Sequence, residues 1–137
     1  MDETSLDQQE VGKLQSLGVS LVYLFGSVAE GTDHGLSDLD LGVVFDQASR
    51  LGPDNSSLYN SLYDIFTDGF PDRNIDIVFL DNAGLELCFD AISHGRLLFA
   101  SSSDARYAFE EKVLILYADF RPILEEFDAA VLERIRP

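Results

Sequence analysis

Apolar residues recur along this 137-residue chain in blocks that follow either a helical or a strand-like spacing. An interval of three to four positions between apolar residues is typical of a helix with one buried side. This interval predicts a helix over 4–17, with Gly18 following as a cap. It predicts a second, weaker helix at about 56–68, and a third over 82–94 that Gly95 closes.

Short apolar and aromatic runs between these helices predict buried strands. The strands are predicted at 20–25, 40–45, 74–80 and, as a shorter fourth, 97–100. A Gly-Pro-Asp-Asn cluster favours an exposed loop between the second strand and the second helix. Strands that alternate with helices along the chain predict an α/β or α+β fold.

The spacing is helical again from Ser103 almost to the end of the chain. The apolar stripe of this segment comprises Phe109, Val113, Leu116, Phe120, Ile123, Phe127 and Val131. Pro122 lacks a backbone donor and clashes with the preceding turn, so it is expected to kink the segment or to start a new helix. The length favours one domain over 1–137, with a core at about 18–100 and a C-terminal helical segment at about 103–135.

Aspartates interrupt the second and third predicted strands, where such residues are disfavoured. Side chains alternate between the two faces of a strand, so Asp38, Asp40 and Gly42 share one face of the second strand. Gly42 is expected to leave space beside the carboxylates. The same alternation places Asp76 of the third strand opposite its apolar neighbours. If these two strands pair, three carboxylates meet on one face of the sheet.

Three clustered aspartates repel one another unless they are protonated or bound to cations. Magnesium is a hard cation that prefers oxygen ligands and completes its shell with substrate phosphates. Two such ions at roughly 3.5–4 Å would polarise the attacking and leaving oxygens of a phosphoryl or nucleotidyl displacement.

Gly26 and Ser27 end the first predicted strand and predict a phosphate-binding turn. Glycine lets the backbone approach an anion, and the serine adds a hydroxyl. A simple helix cap is the alternative role of Ser27.

The amino-acid composition restricts the classes of molecule that are expected to bind this chain. The formal net charge is −16, from 25 acidic and nine basic residues that are scattered along the chain. Nucleic-acid binding usually requires a basic patch, so nucleic acid is disfavoured as a partner. The charge suits a carboxylate metal site or a basic protein partner.

Compartment and membrane association are constrained by two further features. No run of eighteen apolar residues is present, so no membrane span is predicted. The acidic N-terminus and the single cysteine, Cys88, predict a cytoplasmic protein without an internal disulfide.

The order Gly26-Ser27, ten further residues, then Asp38-x-Asp40 resembles the signature of the polymerase-β-like nucleotidyltransferase superfamily, and Asp76 completes that pattern. Within it, the chain is similar to the minimal nucleotidyltransferases, in particular the MntA-like antitoxins of type VII toxin–antitoxin pairs. The stretch SHGRLLFASSSDARYAFEEKVLILYADFRPILEEF is similar to the tail of that family. The resemblance implies a mixed β-sheet flanked by helices, with a helical C-terminal tail.

The resemblance also implies roles for single residues. Gly26 and Ser27 would hold the triphosphate of ATP. Asp38 and Asp40 would bind two magnesium ions, and Asp76 would bind the catalytic metal and help to activate the attacking hydroxyl. The implied activity is transfer of AMP from ATP to a tyrosine of a partner HEPN-type ribonuclease toxin, which silences the toxin.

Two other functions remain open on the sequence. A nucleotidyltransferase acting on a small-molecule hydroxyl usually carries a second domain for its acceptor, for which this chain has no room. A non-catalytic antitoxin would keep the fold and neutralise its partner by contact alone. The retained aspartates favour catalysis, whereas Glu30 favours contact alone, because family members often have arginine at that position.

Overall fold

The structure, a computed structural model, describes residues 6–26 and 38–135. Its elements are α1 (Gln8–Ser16), β1 (Val19–Phe25), β2 (Leu39–Phe45), a short 3-10 turn (Ala48–Arg50), α2 (Ser56–Gly69), β3 (Ile75–Phe79), α3 (Leu85–His94), β4 (Arg96–Ala100) and α4 (Ser103–Ile135). The helices and strands predicted from the hydrophobic pattern are confirmed, with shifts of a few residues at their ends.

Side-chain hydrogen bonds determine where helix α1 begins. The side chain of Asp7 accepts a hydrogen bond from the Glu10 backbone nitrogen at 2.8 Å, and the Glu10 carboxylate accepts one from the Asp7 nitrogen at 2.9 Å. This reciprocal pair satisfies donors that have no partner inside the helix. At the other end, Gly18 has a φ of +82°, a left-handed conformation that suits glycine.

The four strands form one sheet in the order β3-β2-β1-β4. Strand β1 is antiparallel to both β2 and β4, whereas β2 and β3 are parallel. Parallel neighbours require a crossover connection, and α2 supplies it between β2 and β3. The mixed sheet flanked by helices confirms the predicted α+β class.

Each face of the sheet is covered by a pair of helices. On one face, Leu39 and Leu41 pack with residues of α1 and α2 such as Leu14 and Phe66. A second core lies on the opposite face, under α3 and α4. Its buried members are Leu21, Tyr23, Phe25, Val44, Leu80, Cys88, Ala91 and Val113. The aspartates share this second face but lie at one end of the sheet.

Helix α4 is continuous across Pro122, so the alternative in which Pro122 starts a new helix is wrong. A proline in a helix interior removes one hydrogen bond, here to the carbonyl of Ala118, and the surrounding bonds maintain the helix. Val113 is buried, but Ile123 and Phe127 are 59% and 66% exposed. Of the described side chains in the predicted apolar stripe, those up to Val113 are at least partly buried, and those from Leu116 to Phe127 are exposed. The side chain of Val131 lies outside the described residues. No helix in the described ranges is long and apolar enough to cross a membrane.

Candidate functional site

Asp40 and Asp76 are direct neighbours in the sheet. The parallel pairing of β2 with β3 places Asp40 opposite Asp76, and the Leu39 backbone nitrogen donates to the Asn74 oxygen at 2.8 Å. Paired residues on adjacent strands lie roughly 5 Å apart and point to the same face of the sheet. The predicted meeting of the carboxylates depended on pairing of the second and third strands, and the structure shows this pairing.

Asp38 lies immediately before β2 and is exposed, as is Asp76, whereas Asp40 is half-buried. Partial burial raises the pKa of the Asp40 carboxyl, and the negative charges of Asp76 and Asp38 raise it further. The three carboxylates are thus close enough for their charges to interact. Such a group favours a proton or a bound cation.

The donor set fits magnesium. Carboxylate oxygens are ligands that Mg²⁺ prefers, and the ion typically takes one or two carboxylates together with substrate phosphates. Within the described parts of the chain, no three His, Cys, Asp or Glu side chains already stand together as a metal-binding group. The exposure of Asp38 and Asp76 leaves their side chains room to turn toward a shared ion.

Gly26 directly follows β1 and lies against the Asp40 carboxylate. Its neighbour Phe25 pairs with Asp40 across the sheet, and Gly26 has a φ of +80°. A β-carbon built on Gly26 would overlap Oδ2 of Asp40. Glycine is therefore required here both for its backbone conformation and for the space that the Asp40 carboxylate occupies. Ser27 and Glu30, which the sequence also singled out, lie outside the described residues.

The expectation that Gly42 leaves space beside the aspartates is wrong. A β-carbon on Gly42 would lie 2.8 Å from Cδ1 of Leu80 and 3.2 Å from Cε1 of Phe25. Both neighbours belong to the second core, so apolar side chains fill the volume that the glycine leaves. Gly42 therefore permits close packing beneath the site and adds no room to it.

Asp81 is a further half-buried carboxylate, at the opposite end of the sheet. It accepts a hydrogen bond from the Phe45 backbone nitrogen at 3.0 Å, which joins the ends of β2 and β3. Burial raises the pKa of Asp81, and that hydrogen bond opposes the rise. Asp81 thus has a structural role. In the sequence, only its position two residues after β3 indicated this role.

Comparison with known families matches residues 11–104 to the family described as Polymerase beta, Nucleotidyltransferase. This range contains all four strands and the residues Gly26, Ser27, Asp38, Asp40 and Asp76. It ends at Asp104, the second residue of α4. Almost all of α4 therefore lies outside the matched range.

The chain is similar to the protein adenylyltransferase MntA of Shewanella oneidensis, with 30% identity over 99 residues, 72% of this chain. The match spans 66% of that relative, just under two thirds of its length.

Two solved structures are also similar. One is a toxin–antitoxin complex with AMP-PNP, 26% identical at a TM-score of 0.63, covering 89% of this chain and 98% of that one. The other is a tri-AMPylated HEPN toxin of Shewanella oneidensis in complex with an MNT antitoxin, 22% identical at a TM-score of 0.55, covering 88% of this chain and 97% of that one. Because the second structure is only 22% identical in sequence, its similarity supports a shared fold and nothing further.

Proposed function

Because the chain belongs to the polymerase beta nucleotidyltransferase family, we propose that it is an antitoxin that transfers AMP from ATP to a tyrosine of a HEPN-type ribonuclease toxin. The main support is the pairing of Asp40 with Asp76 directly beside Gly26, at one end of the sheet. The similarity to a protein adenylyltransferase and to a toxin–antitoxin complex with AMP-PNP supports the acceptor class and the nucleotide.

Each residue of the site has a distinct task in this proposal. Gly26 and Ser27 hold the triphosphate, and Asp38 and Asp40 would hold two magnesium ions. Asp76 would bind the catalytic ion, and it takes the proton of the attacking hydroxyl. When bound, magnesium supplies positive charge that offsets the charge of the phosphates and carboxylates.

The reaction that this arrangement serves is an in-line displacement. The tyrosine oxygen forms a bond to the α-phosphorus of ATP while its proton moves to Asp76. The bond between the α-phosphorus and the bridging oxygen breaks, and pyrophosphate leaves with the electron pair. Gly26 and Ser27 hold the triphosphate in line with the acceptor, which lowers the entropic part of the barrier.

A second candidate is neutralisation by contact without transfer. Glu30 supports it, because an acidic residue near the triphosphate would oppose ATP binding. The two functions differ in whether the toxin gains mass.

The deciding experiment mixes the chain with a HEPN-type toxin, ATP and magnesium, and follows the toxin by intact-mass spectrometry. We expect increments of whole AMP units on a tyrosine, located by peptide mapping. The variant carrying Asp38→Asn and Asp40→Asn should lower the rate by at least about a hundredfold, because it loses the carboxylates that would hold magnesium, and loss of transition-state charge stabilisation has effects of this size. Neutralisation of the toxin by an equimolar amount of that variant, with no added mass, would instead establish the contact mechanism.

A further inference from the structure

From Leu116 onward, α4 carries a row of apolar side chains that the described part of the chain leaves largely exposed. Leu116, Phe120, Ile123 and Phe127 follow one another at intervals of three or four residues, so they lie on one side of the helix. Their exposed fractions lie between 38% and 66%. We call these four residues the α4 stripe.

The α4 stripe continues into a groove of about 550 Å³. Leu116, Phe120 and Ile123 line one side of this groove, and Leu80 and Leu85 line it from the sheet and α3. Leu80 directly follows the C-terminal end of β3, whereas Asp76 lies near the start of that strand. The groove and the aspartates are therefore at opposite ends of the sheet, and a protein bound at the groove would leave the aspartates accessible.

A long helix with an exposed apolar side gains stability from a partner that covers that side. Helix α4 has 33 residues, a length of about 50 Å. Its second half lacks the core packing that Val113 provides in the first half. Most of the stability of a protein helix comes from packing of its apolar side, and Pro122 removes one hydrogen bond from this part of α4. An exposed apolar patch beside polar residues is typical of a protein-binding surface.

Charge identifies the chemistry of that partner. Asp119 and Glu126 lie four and three positions from Ile123, so they flank the α4 stripe on the same side of the helix. The whole chain has a formal charge of −16, so a second copy would be repelled. A complementary surface has apolar anchors bordered by lysine and arginine. An amphipathic helix presents such a pattern to an apolar groove.

We propose that the α4 stripe and the adjoining groove bind an amphipathic helix of the toxin, with Lys or Arg beside its apolar face. The identity of the partner rests on the function proposed above, while the surface and its chemistry rest on the exposure and charge of α4. In this arrangement the toxin is held by α4 and its acceptor group is presented to the far end of the sheet. Almost all of α4 lies beyond the matched catalytic family range, which agrees with a binding role for it.

The test compares substitutions on two sides of α4. Ile123→Asp and Phe127→Asp each place a charge in the stripe. Leu114→Asp is the matched control: Leu114 is 50% exposed and lies about 200° around the helix from Leu116. Binding of the purified toxin is measured by surface plasmon resonance. We expect each stripe variant to raise Kd at least about tenfold, and the pair at least about a hundredfold, because burying one such side chain is worth about that much. Leu114→Asp should change Kd by less than about twofold.

Two accompanying measurements separate this inference from the proposed function. Circular dichroism melts should be unchanged, because the substituted side chains are exposed, and ATP binding by calorimetry should match that of the parent chain. If the stripe variants bind the toxin normally while AMP transfer continues, the docking surface is wrong and the function stands. If the parent chain binds the toxin through the stripe but adds no AMP, the function is wrong and the surface stands.

Charge and self-association provide a further check. The variant carrying Asp119→Lys and Glu126→Lys should slow association with the toxin more than it speeds dissociation, because flanking charges act mainly on encounter. Sedimentation velocity of the isolated chain should show a monomer. A dimer that Phe127→Asp dissociates would overturn the assignment to the toxin, because the occupant of the surface would then be a second copy.

Discussion

At the scale of single residues, Asp40 combines a proposed catalytic role with an unfavourable electrostatic environment. Burial and two neighbouring carboxylates raise its pKa in the folded chain. An acid with a raised pKa contributes stability below its unfolded pKa, and this contribution is lost as the pH rises through the folded pKa. Ionised Asp40 therefore destabilises the metal-free fold at neutral pH, and a bound cation reverses the effect.

The first prediction concerns Asp40→Asn. Without magnesium, its thermal midpoint at pH 7 should equal or exceed that of the parent chain, and the difference should vanish below about pH 4, where aspartate is protonated. Added magnesium should raise the midpoint of the parent chain more than that of the variant. Differential scanning calorimetry at both pH values measures this. A lower midpoint for Asp40→Asn at pH 7 would show that the carboxylate stabilises the fold.

The second prediction concerns Gly26→Ala. A left-handed backbone costs an alanine about 1–2 kcal/mol, so the free energy of unfolding should fall by about that amount. The new β-carbon would also displace the Asp40 carboxylate, and small misplacements of reacting groups can cost about a hundredfold in rate. Urea unfolding and single-turnover AMP transfer measure the two effects.

Gly12→Ala is the matched control for Gly26→Ala. Gly12 lies within α1 with no neighbour within 4 Å of an added β-carbon. This change should stabilise the chain by up to about 1 kcal/mol and leave transfer unaltered. If Gly26→Ala were as active as Gly12→Ala, the close contact with Asp40 would have no catalytic importance.

At the scale of elements, a buried polar contact attaches α4 to the sheet. The hydroxyl of Tyr23, which is 2% exposed, donates to Oε2 of Glu110 at 3.2 Å. Arg106 Nε donates to the same oxygen at 2.7 Å, and Phe109 packs against the Tyr23 ring. The contact orients the first turns of α4, and hence the direction in which the exposed half extends.

The third prediction concerns Tyr23→Phe, which removes the hydroxyl and leaves Glu110 paired with Arg106. The free energy of unfolding should fall by about 1–2 kcal/mol, because a hydrogen bond to a charged group is lost. Burial and the charge of Glu110 raise the pKa of Tyr23. Its contribution to stability is therefore present below the usual tyrosine pKa of about 10 and decreases as the pH rises above it.

Urea unfolding at neutral pH and above pH 10 separates loss of the hydrogen bond from ionisation of Tyr23. Between these two pH values, the free energy of unfolding should fall more for the parent chain than for Tyr23→Phe. Tyr107→Phe is the control, because Tyr107 is 64% exposed. The free energy of unfolding of Tyr107→Phe should equal that of the parent chain at both pH values. An equal alkaline loss in all three proteins would show that Tyr23 makes no specific contribution.

At the scale of the whole molecule, the charge of −16 acts on folding and on association in opposite ways. The fourth prediction is that salt raises the thermal midpoint of the isolated chain and slows its association with a basic partner. The Debye length falls from about 30 Å at 0.01 M to about 3 Å at 1 M, so salt screens both the self-repulsion and the attraction. Melting curves and stopped-flow association over that range measure the two responses. An association rate independent of salt would exclude electrostatic steering.

The sequence by itself determined the elements and the chemistry offered along them. Periods near two and 3.6 residues are local properties, which is why the strands, the helices and the alternation of Asp40 and Asp76 against apolar neighbours followed from the chain alone. The family pattern followed as well, because it depends on residue types at set separations. The roles of Ser27 and Glu30 stay predictions.

Only the tertiary structure decided which of these features meet. Parallel pairing placed Asp40 beside Asp76, and the packing of Leu80 filled the space above Gly42. The structure also showed that the apolar pattern of α4 continues past Val113, its last buried residue among those described. Phe127 is therefore 66% exposed. These outcomes depend on contacts between residues far apart in the chain. Local periodicity shows which side of an element is apolar, and the free energy of packing among all the elements determines what covers that side.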